Sequence, residues 1–399
     1  MTASTTPPPD FSNYIATTLF GLEEILAQEL ADLGAQNIYL GNRAVEFAGD
    51  KSLLYRANLW CRTAIRILKP FRTFKARDER DLYRQVSKIN WADYLQADQT
   101  FAIQSVVNQS SFEHSLFVSQ LTKDAIVDQF RQRTGQRPSV DVERPDVRLN
   151  LHMHENFVTL ALDASGDSLH RRGYRLQTNV APLSEVLAAG IILLTAWDKK
   201  SPFIDPMCGS GTFLTEAALL AHNIAPGLYR RHSFGFMNWP DFDEPFYRRL
   251  VAEAEAARLP EQEVTIMGSD IDKDYIEAAR SNITNADLDD YIRIRVRDIK
   301  EVQGIGEKGI VLVNPPYGER IIQDNLNQLY KTIGDTFKTN FSGYDAFVFT
   351  GNLEAAKHIG LKTSRRIPLY NGPIECRLLK YELYRGTRKI KEEPKLDVI

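Results

Sequence analysis

Hydrophobic and polar positions follow two different patterns along the chain, and the change near residue 165 indicates two regions. Over residues 11–165, runs with a period of two mix with runs at helical spacing, which predicts an α+β region with mostly antiparallel strands. Residues 147–153 and 157–163, for example, alternate around a short polar turn, a pattern typical of a β-hairpin. The other predicted strands are 13–19, 37–40, 44–48, 64–74 and 100–107, and the predicted helices are 21–33, 51–60 and 115–133.

From Leu183 onward, amphipathic helices alternate with short apolar strands, which predicts a parallel sheet with right-handed crossovers. The predicted strands are 203–205, 264–269, 292–296, 310–313 and 345–350, and the predicted helices are 183–197, 213–224, 273–286, 326–341 and 353–359. Residues 366–370 and 374–384 flank Asn371-Gly372-Pro373, so an antiparallel hairpin is expected to close the sheet. The fold class predicted here is α/β, with a mostly parallel seven-stranded sheet that ends in this hairpin.

Polar segments suggest where the regions end. Residues 1–10 are rich in Thr and Pro and are predicted to form a disordered tail, and residues 386–399 a charged tail. Residues 166–182 are predicted to be a linker, which places the α/β domain at 183–385. Residues 222–262 interrupt this domain with a stretch rich in arginine and aromatic residues, and excursions of about 40 residues are usually functional or pack on a neighbouring part of the fold.

The composition excludes several classes of protein. Hydrophobic residues make up 43% of the 399 positions and charged residues 25%, which is typical of globular domains and excludes a wholly disordered chain. The net charge of −3 excludes a uniformly basic nucleic-acid coat but allows a local basic patch. The three cysteines include no C-x-x-C pair, so we expect no disulfide framework and no metal site, and a reducing compartment.

Nothing in the sequence suggests export or membrane insertion. The first ten residues lack both the basic and the apolar part of a signal peptide. The longest apolar run, 186–197, is too short to cross a bilayer and contains Gly190. We therefore expect a cytoplasmic protein.

A glycine-containing turn follows the first predicted parallel strand, in the sequence Asp205-Pro-Met-Cys-Gly-Ser-Gly-Thr212. Gly209 and Gly211 let the backbone approach a ligand closely, at the strand ends where doubly wound sheets bind ligands. The dinucleotide fingerprint fails because Leu214 stands where a third glycine is expected. The acidic Asp205 can accept a hydrogen bond from an α-amino group, which NAD lacks. The candidate cofactor-binding residues of this turn are Asp205, Pro206, Cys208, Gly209, Gly211 and Thr212.

Acidic residues also end the next two predicted strands. Asp270 is assigned to the ribose hydroxyls of a bound nucleoside, because a carboxylate at this strand end can accept both of them. Asp272 fits better as the N-cap of the helix that begins at Lys273. Asp298 could accept a hydrogen bond from an adenine amine, although a surface loop residue is a nearly equal alternative.

The most specific motif is Asn314-Pro315-Pro316-Tyr317, directly after the apolar strand 310–313. Two consecutive prolines have no N–H groups, so the turn presents acceptors without donors. The Asn314 side-chain oxygen and the Pro315 carbonyl can both accept from one exocyclic amine, and Tyr317 offers a face on which a flipped base can stack. These four residues are the catalytic candidates, and Asn314 is also counted as cofactor-binding. Together with the glycine turn they indicate methyl transfer from S-adenosylmethionine to a nucleobase amine.

These motifs resemble a known family. The stretches from Asp205 and from Asn314 look like motifs I and IV of Rossmann-like class I methyltransferases. Arg172-Gly-Tyr-Arg, Ala181-Pro-Leu-Ser-Glu-Val-Leu-Ala-Ala and Ile224-Ala-Pro-Gly-Leu are similar to THUMP-domain RNA guanine-N2 methyltransferases of the bacterial RlmL type. The resemblance implies an N-terminal α+β segment at 11–60, a THUMP-like RNA-binding domain at 50–165, and methylation of guanine N2 in large-subunit (23S) rRNA. Longer relatives carry a second methyltransferase domain, so one reaction is expected of this chain.

Basic residues predict where RNA binds. Residues 51–90 hold eleven Lys/Arg and three Asp/Glu, a net charge of +8. Such a patch neutralises phosphates, although a solvated basic face is the alternative. The RNA-binding candidates are Arg62, Arg66, Lys69, Arg72, Lys75, Arg77, Arg171, Arg172 and Arg175. His152 and His154 share a strand face with Arg148; a metal pair is conceivable there, but with no third ligand a solvated strand face is preferred.

Other functions stay open at this point. A tRNA guanine-N2 methyltransferase would share the chemistry, and a DNA adenine methyltransferase would share the Asn-Pro-Pro-Tyr turn, although the basic α+β region favours RNA. From a different class, the chain could be a non-catalytic RNA-binding factor of ribosome assembly. The sequence does not identify the target nucleotide or the oligomeric state, for which a monomer is one possibility.

Overall fold

The computed structural model describes residues 11–176, 183–316 and 323–384, and these divide into two compact units. Residues 11–176, 183–194 and 218–262 belong to the first unit, and residues 195–217, 263–316 and 323–384 to the second. The 222–262 insertion therefore makes its contacts in the first unit. The functional boundaries placed from the sequence, such as the linker at 166–182, remain predictions.

The helices alternate with the strands much as the hydrophobic pattern predicts. They are α1 (Glu23–Asp32), α2 (Lys51–Trp60), α3 (Glu79–Ser87), α4 (Ser115–Thr134), α5 (Glu185–Leu194), α6 (Thr212–Ala221), α7 (Glu244–Ala256), α8 (Lys273–Asn285), α9 (Gln323–Asn340) and α10 (Leu353–Ala356). Short 3-10 helices occur at Trp91–Asp93, Pro226–Arg230, Gly235–Asn238, Ile299–Glu301 and Lys357–Ile359. None of these helices combines the length and the apolar character that crossing a bilayer requires.

The first unit is built on one mixed sheet of eight strands among the described residues. The strands are β1 (Ser12–Thr17), β2 (Gln36–Gly41), β3 (Ala44–Gly49), β4 (Arg66–Lys75), β5 (Thr100–Asn108), β6 (Ser139–Val140), β7 (Val147–His154) and β8 (Phe157–Asp163). Their order is β2-β3-β1-β4-β8-β7-β5-β6, and only β5 pairs in parallel with its neighbours. The predicted hairpin of β7 and β8 is present. Because β1 pairs with β4, the N-terminal strands and the later ones form a continuous sheet.

Two helices, α3 and α7, were absent from the sequence-based prediction. The polar helix α3 buries mainly Leu82 and Val86, so its periodic signal is sparse, but the side chain of Asp78 caps its first turn. Helix α7 lies in the insertion and begins after the capping residue Asp243. Both caps are local signals of helix N-termini that the hydrophobic pattern alone does not show.

The insertion contributes aromatic side chains to the core of the first unit. The ring centroids of Tyr55, on α2, and Phe236 lie 4.5 Å apart, and Tyr247 meets Tyr55 edge-on at 5.6 Å. Buried Arg230 donates hydrogen bonds of 2.8–3.0 Å to the carbonyls of Ser165, Asp167 and Ser168. Because buried carbonyls left without donors are costly, Arg230 holds the segment after β8 in place. The arginine and aromatic richness of this stretch therefore serves packing.

The second unit contains the predicted seven-stranded sheet. Its strands are β9 (Phe203–Asp205), β10 (Ile266–Asp270), β11 (Ile292–Val296), β12 (Ile310–Val313), β13 (Asp345–Thr350), β14 (Arg365–Asn371) and β15 (Ile374–Glu382). The order is β11-β10-β9-β12-β13-β15-β14, with β9 to β13 parallel and β15 antiparallel to both neighbours. Ile333 and Phe337 of helix α9 belong to the same buried hydrophobic cluster as Val311 and Val313 of β12. The strand order reverses between β9 and β12, which is where such sheets bind ligands.

Candidate active site

Asp205 ends the central strand β9 and is almost completely buried, with 1% of its surface exposed. Its carboxylate accepts a hydrogen bond of 3.1 Å from the backbone N–H of Met207. Burial raises the pKa of Asp205 well above its usual value, and the charge of Asp270 raises it further. Within the described part of the chain Asp205 forms no ion pair, so the site has a buried acceptor suited to a cationic donor.

The glycine turn after β9 has the open shape that the sequence predicts. Gly209 has a φ of +52°, and a Cβ built there would meet nothing within 4 Å. Its N–H donates to Asp270 Oδ2 at 3.0 Å, which ties the turn to the end of β10. Gly211 has a φ of +81°, and a Cβ there would come within 3.2 Å of Ala279 on α8. The turn therefore leaves room beside Gly209 and packs closely against α8 at Gly211.

Asp270 and Asp272 have different roles in the structure, and Asp272 is the helix cap that the sequence predicts. Asp272 accepts from the N–H of Asp274 at 2.8 Å and caps α8, so that assignment is confirmed. Asp270 accepts from the N–H groups of Gly209 and Asp272, and partial burial raises the pKa of its carboxyl. Its backbone position at the carboxyl end of β10 places it beside the turn that carries Asp205.

A cavity of about 350 Å³ opens at these strand ends. Its described lining is Pro206, Met207, Asp270, Ile271, Asp298, Ile299, Lys300, Asn325, Gln328, Leu329 and Thr332. Three of the predicted cofactor-binding residues, Pro206, Asp270 and Asp298, are therefore brought together. The sequence analysis missed Ile271, which is 71% exposed although apolar. The sequence signal that could have identified Ile271 is its position directly after the strand-end aspartate Asp270. An apolar side chain at that position can cover an aromatic ring bound in the cavity.

For Asp298 the sequence left two interpretations open, a contact with an adenine amine and a surface loop position. Its carboxylate accepts from the N–H of Lys300 at 3.0 Å and so caps the 3-10 helix Ile299–Glu301. Its other oxygen lies 3.9 Å from Lys300 Nζ. Since Asp298 also lines the cavity, a surface role and a ligand contact are both compatible with its position.

Asn314 follows β12, the strand beside β9 on the other side from β10. The pairing of Val311 with Ile204 places Asn314 just beyond the level of Asp205. Its Oδ1 atom is buried and has no hydrogen-bond partner in the described part of the chain. Pro315 is buried and Pro316 exposed, and neither can donate to that oxygen. A buried acceptor without a donor is rare in folded proteins and fits a site that receives one from a ligand.

The remaining members of the predicted site are placed as follows. Cys208 and Thr212 are buried, so neither side chain is presented to solvent. Burial also raises the pKa of the Cys208 thiol. The N–H of Cys208 donates to the carbonyl of Ser269 at 2.9 Å. This bond ties Cys208 to the end of β10. Tyr317 lies outside the described residues.

The predicted RNA-binding residues separate into two groups. Arg62, Arg66, Arg172 and Arg175 are largely buried and donate to protein carbonyls or carboxylates, which leaves them out of an RNA-contacting surface. For example, Arg66 pairs with buried Asp163, and Arg175 pairs with Glu185 at 3.2 Å. Lys69 is partly exposed, near Asp241. Exposed positions are occupied by Arg72, Lys75, Arg77 and Arg171.

Comparison with known proteins agrees with this geometry. Residues 172–380 match the family described as RMKL-like, methyltransferase domain. The chain belongs to the RMKL-like methyltransferase family. Residues 76–163 match the THUMP domain and residues 13–68 the RlmL ferredoxin-like domain. The resemblance and the class I methyltransferase fold predicted from the motifs are thereby confirmed.

Three similar proteins illustrate the family. A provisionally named RNA methyltransferase of Synechocystis sp., slr0064, is 44% identical over 93% of this chain and 97% of its own. The ribosomal RNA large subunit methyltransferase K/L of Syntrophotalea carbinolica is 43% identical over 93% of this chain but 53% of its own, so the present chain spans about half of it. The crystal structure of SMU.472, a provisionally assigned methyltransferase in complex with SAH, is 30% identical, covers 94% of this chain and 99% of its own, and has a TM-score of 0.84.

The raised pKa of Asp205 has a consequence for stability. The folded state favours the protonated carboxyl, so stability falls as the pH rises from the usual aspartate pKa of about 4 toward the raised folded-state value. Asp205→Asn keeps the acceptor for Met207 N–H without the charge. We expect this variant to raise the Tm of the ligand-free protein at about pH 8 and to change it little near pH 4, where both side chains are neutral. Thermal unfolding followed by circular dichroism across this range tests it, and a Tm difference independent of pH would contradict the expectation.

Proposed function

We propose that this chain is an S-adenosylmethionine-dependent RNA methyltransferase that modifies the exocyclic N2 amine of a guanine in large-subunit (23S) rRNA. The observation that carries the chemistry is the buried Oδ1 of Asn314, which has no hydrogen-bond partner among the described residues and is followed by two prolines at the switch point of the sheet. The proposal places the reaction in the cytoplasm. Each part of it is supported by a different set of residues.

The residues at the strand ends fit the cofactor. Buried Asp205 forms no ion pair in the described structure and would accept from the amino group, and Asp270 from the ribose hydroxyls. The cavity of about 350 Å³ would take the adenine between Ile271 and the residues around Ile299, with Asp298 close enough to accept from its amine. When bound, S-adenosylmethionine supplies a methyl group already activated by its sulfonium. The SAH bound to SMU.472 supports this choice of cofactor.

Asn314 and Pro315 would hold the amine that receives the methyl. The Asn314 oxygen and the Pro315 carbonyl each accept one hydrogen of the exocyclic NH2, which localises its lone pair and directs it away from the ring. Because the methyl group is already activated, orientation is the main contribution required of the protein, and positioning can account for several kcal/mol of a barrier. The methylated amine is briefly cationic and loses its proton to water, so no histidine is needed beside this motif.

The choice of an RNA substrate is supported by the first unit and by the relatives. The chain contains a THUMP domain, and the relatives that match nearly its whole length include an RNA methyltransferase and ribosomal RNA large subunit methyltransferases. Exposed Arg72, Lys75, Arg77 and Arg171 provide positive charge for phosphates. Guanine, rather than adenine, is supported by the resemblance to guanine-N2 enzymes, because the Asn-Pro-Pro turn can hold either amine.

Nucleoside analysis tests the reaction directly. The full-length protein, S-adenosylmethionine with a labelled methyl group, and rRNA and tRNA from cells lacking the gene are incubated together. We expect labelled N2-methylguanosine in 23S rRNA by mass spectrometry and none in tRNA. Label in tRNA alone would favour the tRNA alternative, and N6-methyladenosine would refute the choice of base. No transfer to any RNA would refute the RNA methyltransferase and leave the DNA adenine methyltransferase and the non-catalytic RNA-binding factor.

A further inference from the structure

One end of the eight-stranded sheet in the first unit presents an open face. Strands β4, β8, β7 and β5 are neighbours there, and their registers align side chains in two rows across the strands. The first row is Thr73, Thr159, His152 and Val106, and the second row is Lys75, Phe157, His154 and Asn108. We call these eight residues the open face.

Burial alternates along β7 and over the first four residues of β8, Phe157 to Leu160, and shows which side is covered. Leu151, Met153 and Val158, which point to the other side, are completely buried in the core. On the open face, in contrast, Phe157 is 49% exposed, and both histidines are exposed as well. A side of a sheet that keeps an aromatic ring and two imidazoles in solvent is unusual enough to indicate a binding surface.

The chemistry of the open face favours a ligand with flat rings and negative charge. The Lys75 ammonium lies 4.7 Å from the centre of the Phe157 ring, and Asn108 Nδ2 lies 3.4 Å from His152 Nε2. None of the eight residues is a carboxylate. Partial desolvation of the imidazole, and secondarily the neighbouring His154, lowers the pKa of His152, so its ring is neutral at physiological pH and can stack without a charge.

We propose that the open face binds an unpaired segment of the RNA substrate, with bases stacked on Phe157, His152 and His154 and a phosphate near Lys75. This inference rests on the proposed function, because it presumes that RNA is the substrate. Stacking on exposed rings requires bases that are not already enclosed in a duplex, and basic side chains beside such rings follow the phosphate backbone. A duplex would offer the face only its edges and phosphates. The exposed rings therefore favour single-stranded RNA.

Direct binding measurements test the proposal. The full-length protein is titrated with a fluorescent oligouridine of about 12 nucleotides, within the range of site sizes known for OB folds that bind single strands, and with a blunt-ended RNA duplex of the same length. We expect Phe157→Ala to weaken oligouridine binding on the order of tenfold, as the loss of one stacked base predicts, and to leave duplex binding unchanged. Phe157→Trp should retain binding. Lys75→Gln should reduce the salt dependence by about one phosphate contact.

The matched control is Tyr39→Ala. Tyr39 is also an exposed aromatic residue, 65% exposed, but it lies on β2 at the far edge of the same sheet. Oligouridine binding that is the same for Phe157→Ala and Tyr39→Ala, equal losses for oligouridine and duplex, or no oligouridine binding by the unmodified protein would each overturn the proposal. Methyl transfer is assayed separately. If Phe157→Ala leaves oligouridine binding unaltered and methyl transfer is normal, the open-face proposal is refuted and the proposed enzymatic function stands. If Phe157→Ala weakens oligouridine binding selectively but the unmodified protein transfers no methyl group, the open face stands as an RNA site and the proposed enzymatic function is refuted.

Discussion

Asn314→Ala is expected to lower kcat for methyl transfer about 100-fold or more, since removing one preorganised hydrogen-bonding group at a reacting centre typically costs 10²–10³ in kcat. The Kd for S-adenosylmethionine should change little, because Asp205 and the cavity at β10 and β11 are untouched. The Tm should not fall either. Asn314 Oδ1 is buried and has no hydrogen-bond partner in the described part of the chain. Replacing Asn314 by alanine therefore removes an unsatisfied acceptor, and no described hydrogen bond to that oxygen is lost.

Asn352→Ala provides the matched control. Asn352 follows the neighbouring strand β13, and its side chain accepts from the N–H of Ala355 as the cap of α10. Its replacement should cost about 1 kcal/mol of stability, the usual value of a helix cap, and leave kcat unchanged. The two variants together separate a catalytic loss from a loss of folding. Normal turnover in Asn314→Ala would refute the role given to the Asn-Pro-Pro turn.

Asp205→Ala is expected to weaken S-adenosylmethionine binding by about 10- to 150-fold, because a hydrogen bond to a charged group contributes about 1.5–3 kcal/mol. Isothermal titration calorimetry of the full-length protein measures the change. The physical reason is that Asp205 is buried and forms no ion pair among the described residues, so the cofactor's ammonium group would be its cationic partner. The loss should appear in Kd rather than in kcat at saturating cofactor.

The control for this measurement is Asp272→Ala. Asp272 is exposed, stands two residues after Asp270, and caps α8. Removing it costs a helix cap and should leave the Kd for the cofactor within about twofold, since surface changes away from the site are usually small. Equal affinities of Asp205→Ala and the unmodified protein would refute the placement of the cofactor's amino group.

Much of the fold is predictable because it depends on local repetition. In residues 183–384 the alternation of apolar strands and amphipathic helices predicts all seven described strands of the second sheet and the closing hairpin. Helix α3 was missed because its apolar face is narrow, and α7 because it lies within the insertion; their caps, Asp78 and Asp243, are single polar residues. Such helices depend on the tertiary contacts that they make more than on their own periodicity.

The candidate site was predictable where its residues end strands. Asp205, Asp270 and Asn314 follow apolar runs, and parallel strands bring their carboxyl ends to one edge of a sheet. Ile271 and the α9 residues Gln328 and Leu329 were not found. They come from a different part of the chain or carry no distinctive chemistry, so only their convergence on the cavity shows that they belong to the site.

The sequence by itself determined the order of elements, the strand-end acceptors and the chemistry they suggest, because these depend on residues adjacent along the chain. Tertiary structure alone decided which basic residues face solvent. Arg62 and Arg172 are buried and donate hydrogen bonds to backbone carbonyls, whereas Lys75 is exposed beside Phe157. A sum of charges counts all three residues equally. Tertiary structure also decided that residues 222–262 pack in the first unit. Burial and packing depend on partners distant in sequence, and no local pattern records which partner a side chain will meet.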